Sequence, residues 1–234
     1  MKRFWDCAAI APEAGGFCVL LDGRPVRLPT GTKLHLPHRA LAEAVAAEWD
    51  EAGGCKGGEM SWADVPLTRL AGTAQERIVP DPEPVMLEIA RYGETDLLCY
   101  RADGPEALMQ RQHAQWQPWL DWAAQAFGAR LRVTAGVIPV AQDPQSVAAL
   151  AQAVAAQPPF ALAALGVAVP ALGSLVLGLA MAACRLDAEA AFALATLDET
   201  FQAKLWGRDE AAELRRRHMR EDVVVAGRFL LLAR

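Results

Sequence analysis

Residues 90–102 read ARYGETDLLCYRA, and the two acids of this stretch, Glu94 and Asp96, closely precede an apolar Leu-Leu-Cys run. A carboxylate among apolar side chains is stable only when hydrogen bonds or an opposite charge compensate it. The nearest cationic partners are the two flanking arginines, Arg91 and Arg101. The pattern therefore predicts a fixed arrangement instead of a free loop, either a helix end held by an ion pair or part of a functional site.

The part of the chain before this stretch predicts a small sheet and two helices. Three extended runs that contain apolar residues predict strands, at residues 3–10, 17–21 and 24–28. Asp22-Gly23 joins the last two runs, and this pair is a strong hairpin signal because both turn residues must accept positive φ. The spacing of apolar residues predicts helices over residues 38–52, with Trp49 in the core, and over residues 67–78.

Prolines indicate where this first part ends. Pro80, Pro82 and Pro84 each remove a backbone donor and favour an extended predecessor, which is typical of a linker. We therefore predict an N-terminal domain over residues 1–80 and a C-terminal domain over residues 81–234. Nearly all of the second part is helical in pattern. The predicted fold class is α+β, with a small mixed α/β domain that contains a β-hairpin, followed by a larger all-α domain.

One segment challenges a water-soluble fold. No charged residue occurs from Gln145 to Cys184, and residues 160–184 are long enough to span a bilayer, for which ~20 apolar residues suffice. Pro170 lies in the middle of this segment, which is also rich in alanine and interrupted by glycines. We therefore predict a buried pair of helices broken near Pro170. A membrane-associated protein that uses residues 160–184 remains an alternative.

Residues 187–206 are predicted to form one helix with an unusual surface. Its apolar stripe consists of Leu194, Leu197, Phe201 and Leu205. Glu199, Gln202 and Trp206 fall on nearly the opposite side, aligned with one another. A tryptophan outside the apolar stripe needs a covering element, and aromatic residues beside polar groups are typical of protein interfaces. This side of the helix is therefore predicted to be covered either by another helix of the chain or by a partner, and we favour the partner.

Composition disfavours several classes of function. The net charge of −5 and the pI near 5.4 argue against a nucleic-acid binder, because phosphate recognition needs a basic field. The five cysteines are odd in number and form no C-x-x-C pair, which predicts a reducing compartment. The sequence also lacks the usual serine-nucleophile, zinc-protease, P-loop and dinucleotide motifs.

Carboxylate pairs leave one enzymatic alternative open. Glu94 with Asp96, or Asp198 with Glu199, supplies the oxygen ligands and titratable groups that Mg²⁺ binding or acid/base chemistry needs. Adjacent acids on a helix point about 100° apart, so the second pair would share one ligand poorly. We therefore predict no cofactor and no metal, with a carboxylate-based metal-dependent enzyme as the alternative.

Several stretches, taken in order along the chain, carry a resemblance to a known family. They include LDGRPVRLPTGTKLHLP, AAEWDEAG, PLTRLAGTA, the opening ARYGETDLLCYRA, WQPWLDWAAQAFGARLRVTAGVIPV and LDETFQAKLWGRDEA, at residues 21–37, 46–53, 66–74, 90–102, 116–140 and 197–211. In these stretches the chain resembles the ATP synthase assembly chaperones that attend the alpha subunit of the soluble catalytic head in mitochondria and alpha-proteobacteria.

The resemblance implies a non-enzymatic chaperone that needs no ATP and holds newly made alpha subunit until beta subunit replaces it. The acid of the family's LDE motif matches Glu199. The predicted partner-binding residues are therefore Glu199, Gln202, Trp206, Asp198, Glu94 and Asp96. No nucleic acid, small-molecule substrate or membrane insertion is expected. The expected location is a bacterial cytoplasm, or the mitochondrial matrix for a eukaryotic source.

Overall fold

The computed structural model describes residues 1–136, 138–207 and 209–234, with all of their side chains except that of Trp206. The chain forms two units. The first contains Met1–Pro82, Pro159–Ala164 and Arg228–Arg234, and the second contains Glu83–Pro158 and Leu165–Gly227. A small sheet opens the chain and helices make up most of the rest, which confirms the α+β class. The division into domains at residues 1–80 and 81–234 stays our proposal.

The sheet of the first unit is antiparallel, in the order β1 (Ala8–Glu13), β2 (Gly16–Leu21) and β3 (Arg24–Pro25). The predicted hairpin is confirmed, because Asp22 and Gly23 have φ values of 46° and 79° between the paired strands. β3 is shorter than the predicted 24–28. Extended pairing nevertheless continues, since the Val26 N–H donates to the Val19 carbonyl at 2.9 Å.

The predicted strand at residues 3–10 is wrong in its first half. Arg3 is buried, and its guanidinium donates to the carbonyls of Asp50, Ala52 and Gly54 at the end of helix α1 (Arg39–Glu51). The last carbonyls of a helix have no partner within the helix, and a cation near them is favoured by the helix dipole. Arg3 therefore caps the C-terminal end of α1 and does not belong to a strand.

Helix α2 (Pro66–Thr73) continues into a π-helical turn at Ala74–Ile78. Glu48, on α1, caps the N-terminal end of α2. Its carboxyl accepts from the backbone N–H groups of Leu67 and Thr68 at 2.6 and 3.0 Å. Burial raises the pKa of Glu48, and these hydrogen bonds oppose the rise. Trp49 is buried in the core of this unit, as its position on the predicted stripe of α1 indicates.

Helices dominate the second half of the chain. They are α3 (Glu83–Ala90), α4 (Glu106–Phe127), α5 (Pro144–Ala155), α6 (Pro159–Leu172), α7 (Leu175–Ala182), α8 (Ala188–Ala195), α9 (Leu197–Trp206) and α10 (Glu210–Leu232). Two short strands, β4 (Tyr100–Arg101) and β5 (Thr134–Ala135), pair in parallel between them. Both belong to the second unit, so the strand that ends the opening stretch is fixed by a segment more than thirty residues later.

The apolar segment forms two helices, α6 and α7, that are separated near Pro170, as predicted, although the proline itself is not the break. Pro170 lies inside α6, and the chain turns at Gly173, which has φ 63°, and at Ser174. Ser174 caps α7, since its Oγ accepts from the Leu177 N–H at 3.1 Å. Glycine adopts the left-handed conformation without strain, and serine supplies the cap that a helix start needs. Among the described residues, the helices are too short or too polar for a bilayer crossing.

Candidate functional site

The helix that carries Glu199 is shorter than the sequence predicted. Thr196, with φ −101° and ψ 16°, separates α8 from α9, so residues 187–206 are two helices and not one. The Thr196 hydroxyl donates to the Phe192 carbonyl at 2.8 Å, which compensates the end of α8. The predicted apolar stripe also fails within α9, because Leu197 in its first turn is buried, whereas Leu205 near its end is 60% exposed.

The first turn of α9 is tied to α4 by Asp198. The side-chain amide of Gln112 donates to both carboxylate oxygens of Asp198, at 2.8 and 3.0 Å. Gln112 is fully buried, and its amide oxygen accepts from the Ala102 N–H at 2.8 Å. One glutamine therefore connects α9 to the strand β4 region that ends the opening stretch.

Arg101 completes this arrangement. Its Nη1 donates to the Gln112 carbonyl at 2.6 Å, and its guanidinium carbon lies 5.2 Å from the centre of the Trp116 ring. The Trp116 indole N–H in turn donates to the Leu194 carbonyl of α8 at 3.0 Å. Within the described part of the chain, the Nε and Nη2 atoms of Arg101 are buried without a hydrogen-bond partner.

Burial governs the electrostatics of this cluster. It raises the pKa of the Asp198 carboxyl, while the hydrogen bonds from Gln112 and the charge of Arg101 act in the opposite direction. It also lowers the pKa of the Arg101 guanidinium, a change that the negative charge of Asp198 partly offsets. A guanidinium stays charged in proteins, so Arg101 supplies a positive charge beneath an acid that would otherwise be costly to bury. The cluster thereby positions α9.

The outer side of α9 carries polar and apolar residues together. Glu199 and Gln202 are exposed, and Leu205, one turn beyond Gln202, is exposed as well. We call these three residues the α9 face. The backbone of Trp206 ends the helix, but its side chain lies outside the described part of the structure. Its predicted partner contact stays a prediction.

The two acids of the opening stretch are in different environments. Glu94 is exposed and lines a shallow depression, together with Glu88, Arg91 and Thr95. Asp96 is 0% exposed and starts the short helical turn Leu97–Cys99. The structure therefore leaves Glu94 available to a partner but encloses Asp96, which we omit from the partner-binding surface.

Asp96 is held by hydrogen-bond donors and not by the arginines that flank it in sequence. It accepts from the Leu98 N–H at 3.0 Å, from the Ser174 hydroxyl at 2.8 Å and from the Val176 N–H at 2.9 Å. Burial raises its pKa to about 6, and these hydrogen bonds limit the rise. Asp96 thus joins the opening stretch to the start of α7, and the expected ion pair is replaced by neutral donors.

The sequence did not reveal how the cluster beneath α9 is connected. Gln112 and Trp116 lie on the inner side of α4, and a glutamine on an otherwise apolar side of a helix is the one local signal of a buried polar contact. Its partner could not be identified, because Asp198 lies 86 residues away. Among the described residues, no group of three or more His, Cys, Asp or Glu side chains is arranged to hold a metal ion.

Comparisons with known proteins cover the whole chain. The family description "ATP12 chaperone protein" matches residues 2–124. The Schizosaccharomyces pombe protein named "Protein atp12, mitochondrial" is 24% identical over 222 residues, which span 90% of this chain and 75% of that protein. The crystal structure of Atp12 from Paracoccus denitrificans is 45% identical, with a TM-score of 0.93 over 100% of this chain and 98% of the other. A structure of an Agrobacterium tumefaciens protein is 40% identical, with a TM-score of 0.90 over 100% and 86% of the two chains.

Proposed function

The chain belongs to the ATP12 chaperone family, and we propose that it assists ATP synthase assembly by binding the unassembled alpha subunit of the catalytic head. It holds that subunit until the beta subunit replaces it. An unassembled subunit exposes apolar surface that would otherwise aggregate, and a reversible cover prevents this. The chaperone itself performs no catalysis in this proposal and requires no cofactor.

The observation that carries this proposal is the α9 face on its buried support. Glu199, Gln202 and Leu205 are exposed at successive turns of α9, while Asp198 in the same helix is engaged with Gln112. A surface that combines an apolar side chain with a few polar groups on a rigid element is typical of a binding site. The exposed Glu94 and, from the sequence alone, Trp206 are further proposed contacts, and Asp198 positions α9.

We propose the bacterial cytoplasm as the site of action, or the mitochondrial matrix for a eukaryotic source. The relatives support this assignment, since one is named as a mitochondrial protein and another comes from the bacterium Paracoccus denitrificans. Both settings are reducing, which suits a chain whose described structure contains five free cysteines.

The test is co-purification with separately expressed alpha and beta subunits, scoring both binding and the solubility of each subunit. We expect selective binding to alpha. The Glu199→Lys variant should bind alpha about tenfold more weakly, a loss of about 1.4 kcal/mol. Its thermal midpoint should stay within about 2 °C of the wild type, because Glu199 is exposed.

Two further variants accompany Glu199→Lys. One controls for the charge reversal, and the other removes the buried support of α9. Glu51→Lys makes the same charge reversal at an exposed residue at the end of α1, and it should leave alpha binding unchanged. Asp198→Ala removes the partner of a buried glutamine, so it should lower the free energy of unfolding by about 1 kcal/mol. Equal alpha binding by the wild type and Glu199→Lys, or a large loss of stability in Glu199→Lys, would contradict the proposed face.

A further inference from the structure

The first unit contains an open groove that the α9 face does not use. It has a volume of about 590 Å³ and lies between the N-terminal residues, β3 and the loop before α2. Its floor is apolar, formed by Leu21, Val26 and the rings of Trp5 and Trp49. We call it the aromatic groove. A pocket of this size and lining is typical of a ligand site, and it accommodates one or two large side chains.

Four aromatic rings form a continuous row in this groove. Phe4 packs edge-to-face on Trp5, Trp5 on Trp49, and Trp49 on Trp62, with ring centres 5.1, 5.1 and 6.3 Å apart. The two inner rings are buried and held by their indole N–H groups, which donate to the Trp49 carbonyl and the Thr68 hydroxyl. The two outer rings, Phe4 and Trp62, are 57% and 37% exposed.

Exposed aromatic rings on a rigid base are typical of protein interfaces. Large aromatic residues are enriched among the residues that contribute most to protein binding, because they bury much apolar area and lose little conformational freedom. Phe4 and Trp62 have this position: each contacts a buried, hydrogen-bonded tryptophan, and each leaves part of its ring to solvent. The groove is thus pre-organised for an apolar side chain.

The rim of the groove is cationic, although the chain as a whole carries a net charge of −5. Lys2, Arg24 and Arg27 line it and are exposed. Arg27 donates to the Gly31 carbonyl at 2.7 Å, which fixes its direction. Among the described residues that line the groove there is no acid; two acids, Glu59 and Asp64, line the adjacent depression, which Lys2 also lines. The local charge favours an anionic occupant.

Backbone pairing does not explain what the groove binds. On the side of β3, the Val26 N–H donates to Val19 and the Leu34 N–H donates to the Val26 carbonyl, so this edge is already paired within the chain. Recognition must therefore come from side chains: an apolar one in the groove and carboxylates at the rim. A carboxylate also matches the planar donor arrangement of the arginine side chain.

We propose that the aromatic groove binds a protein segment in which an aromatic or branched aliphatic side chain is flanked by Asp or Glu. The groove is a second contact for a client or partner, in addition to the α9 face. This inference depends neither on Glu199 nor on which ATP synthase subunit is the client. It assigns a function to three cations and two exposed rings that the proposed function leaves unused.

The test uses two short labelled peptides with the same Trp-Phe pair, one flanked by Asp and Glu and the other flanked by Lys. Fluorescence anisotropy measures their binding to the full chain. The acidic peptide should bind at least about tenfold more tightly, and added salt should weaken its binding, because screening reduces the attraction between charges. Phe4→Ala, Trp62→Ala and Arg24→Glu should each weaken it about tenfold.

Arg69→Glu is the matched control, since Arg69 is exposed on α2 and does not line the groove; it should leave binding unchanged. Glu199→Lys should also leave peptide binding unchanged, which separates failure of this proposal from failure of the proposed function. Equal binding of the two peptides, or full binding by both aromatic variants, would overturn the proposal. Dimerisation that Phe4→Ala abolishes, without peptide binding, would assign the groove to a second copy and overturn it as well.

Discussion

Three carboxyl groups, those of Glu48, Asp96 and Asp198, have raised pKa values because they are wholly or partly buried, yet each has a different role. Glu48 caps the start of α2. Asp96 caps a helical turn and accepts a hydrogen bond from the start of α7, and Asp198 holds α9 to α4. All three accept hydrogen bonds from groups far away in sequence. At this scale the sequence singled out Asp96 and Asp198, but neither Glu48 nor the donors of any of the three.

Asp96 makes stability depend on pH in a predictable direction. Its folded pKa of about 6 exceeds the ordinary value of 3.8, so the folded chain binds this proton more tightly than the unfolded chain. The stabilising contribution of this group to the free energy of unfolding is therefore fully present below about pH 4 and is lost as pH rises through about 6. In Asp96→Asn this dependence is absent. We expect the unfolding free energy of the wild type to fall relative to that of the variant, by on the order of 2 kcal/mol, between pH 4 and pH 7.

Denaturant titrations at a series of pH values measure this difference. Asp81→Asn, at an exposed position, should show the same pH dependence as the wild type. If the free energies of unfolding of the wild type and Asp96→Asn change in parallel from pH 4 to pH 7, the raised pKa of Asp96 is contradicted. Asp96→Asn should also be less stable at every pH, because its amide group cannot accept all three hydrogen bonds.

At the scale of elements, the packing of α6 against α7 depends on one glycine. A Cβ at Gly178 would lie well inside contact distance of Val169 Cγ2 and 3.4 Å from Leu165 Cδ2. A Cβ at Gly166, on the exposed side of α6, would meet only Val85 Cγ1, at 3.9 Å. Both glycines are helical, so intrinsic helix propensity favours alanine at both. Only the tertiary environment distinguishes them.

We expect Gly178→Ala to lower the free energy of unfolding by about 1–3 kcal/mol, because overpacking outweighs the gain in helix propensity. Gly166→Ala should raise it by about 0.5–1 kcal/mol, because alanine reduces the freedom of the unfolded chain. Urea unfolding of the two variants and the wild type measures both changes. Effects of the same sign would show that the close approach at Gly178 does not control the packing of α7.

Helix boundaries show the limit of periodicity at this scale. The sequence predicted the existence and type of the helices well and the break of the apolar pair to within a few residues of Pro170, but it joined α8 to α9. The chain actually turns at Thr196 and Gly173, where side-chain and backbone hydrogen bonds compensate the helix ends. At Thr196 the compensating bond comes from a local side chain, and at Gly173 the carbonyl accepts from the distant Leu97 N–H at 2.9 Å, so a period of 3.6 residues locates neither end.

At the scale of the whole molecule, the scattered acids do not assemble into a metal site among the described residues. We therefore expect millimolar Mg²⁺ or Mn²⁺ to leave the thermal midpoint unchanged. A site filled to 100 times its dissociation constant would add about 2.7 kcal/mol to stability, which is a readily measured shift. A saturable rise in the midpoint that Asp198→Asn removes would support the metal-dependent enzyme instead.

The sequence by itself determined the α+β class, the hairpin at Asp22-Gly23 and the helical content of the second half. Each follows from local rules, because turn conformation and helical periodicity involve only a few neighbouring residues. The tertiary structure decided that Asp96 is enclosed, that Leu205 is exposed and that Gln112 links α4 to Asp198. The environments of Asp96 and Gln112 depend on partners about 80 residues away, as for Asp96 and Val176. A buried polar group is stable only when such a partner reaches it, and chain packing alone determines which one does.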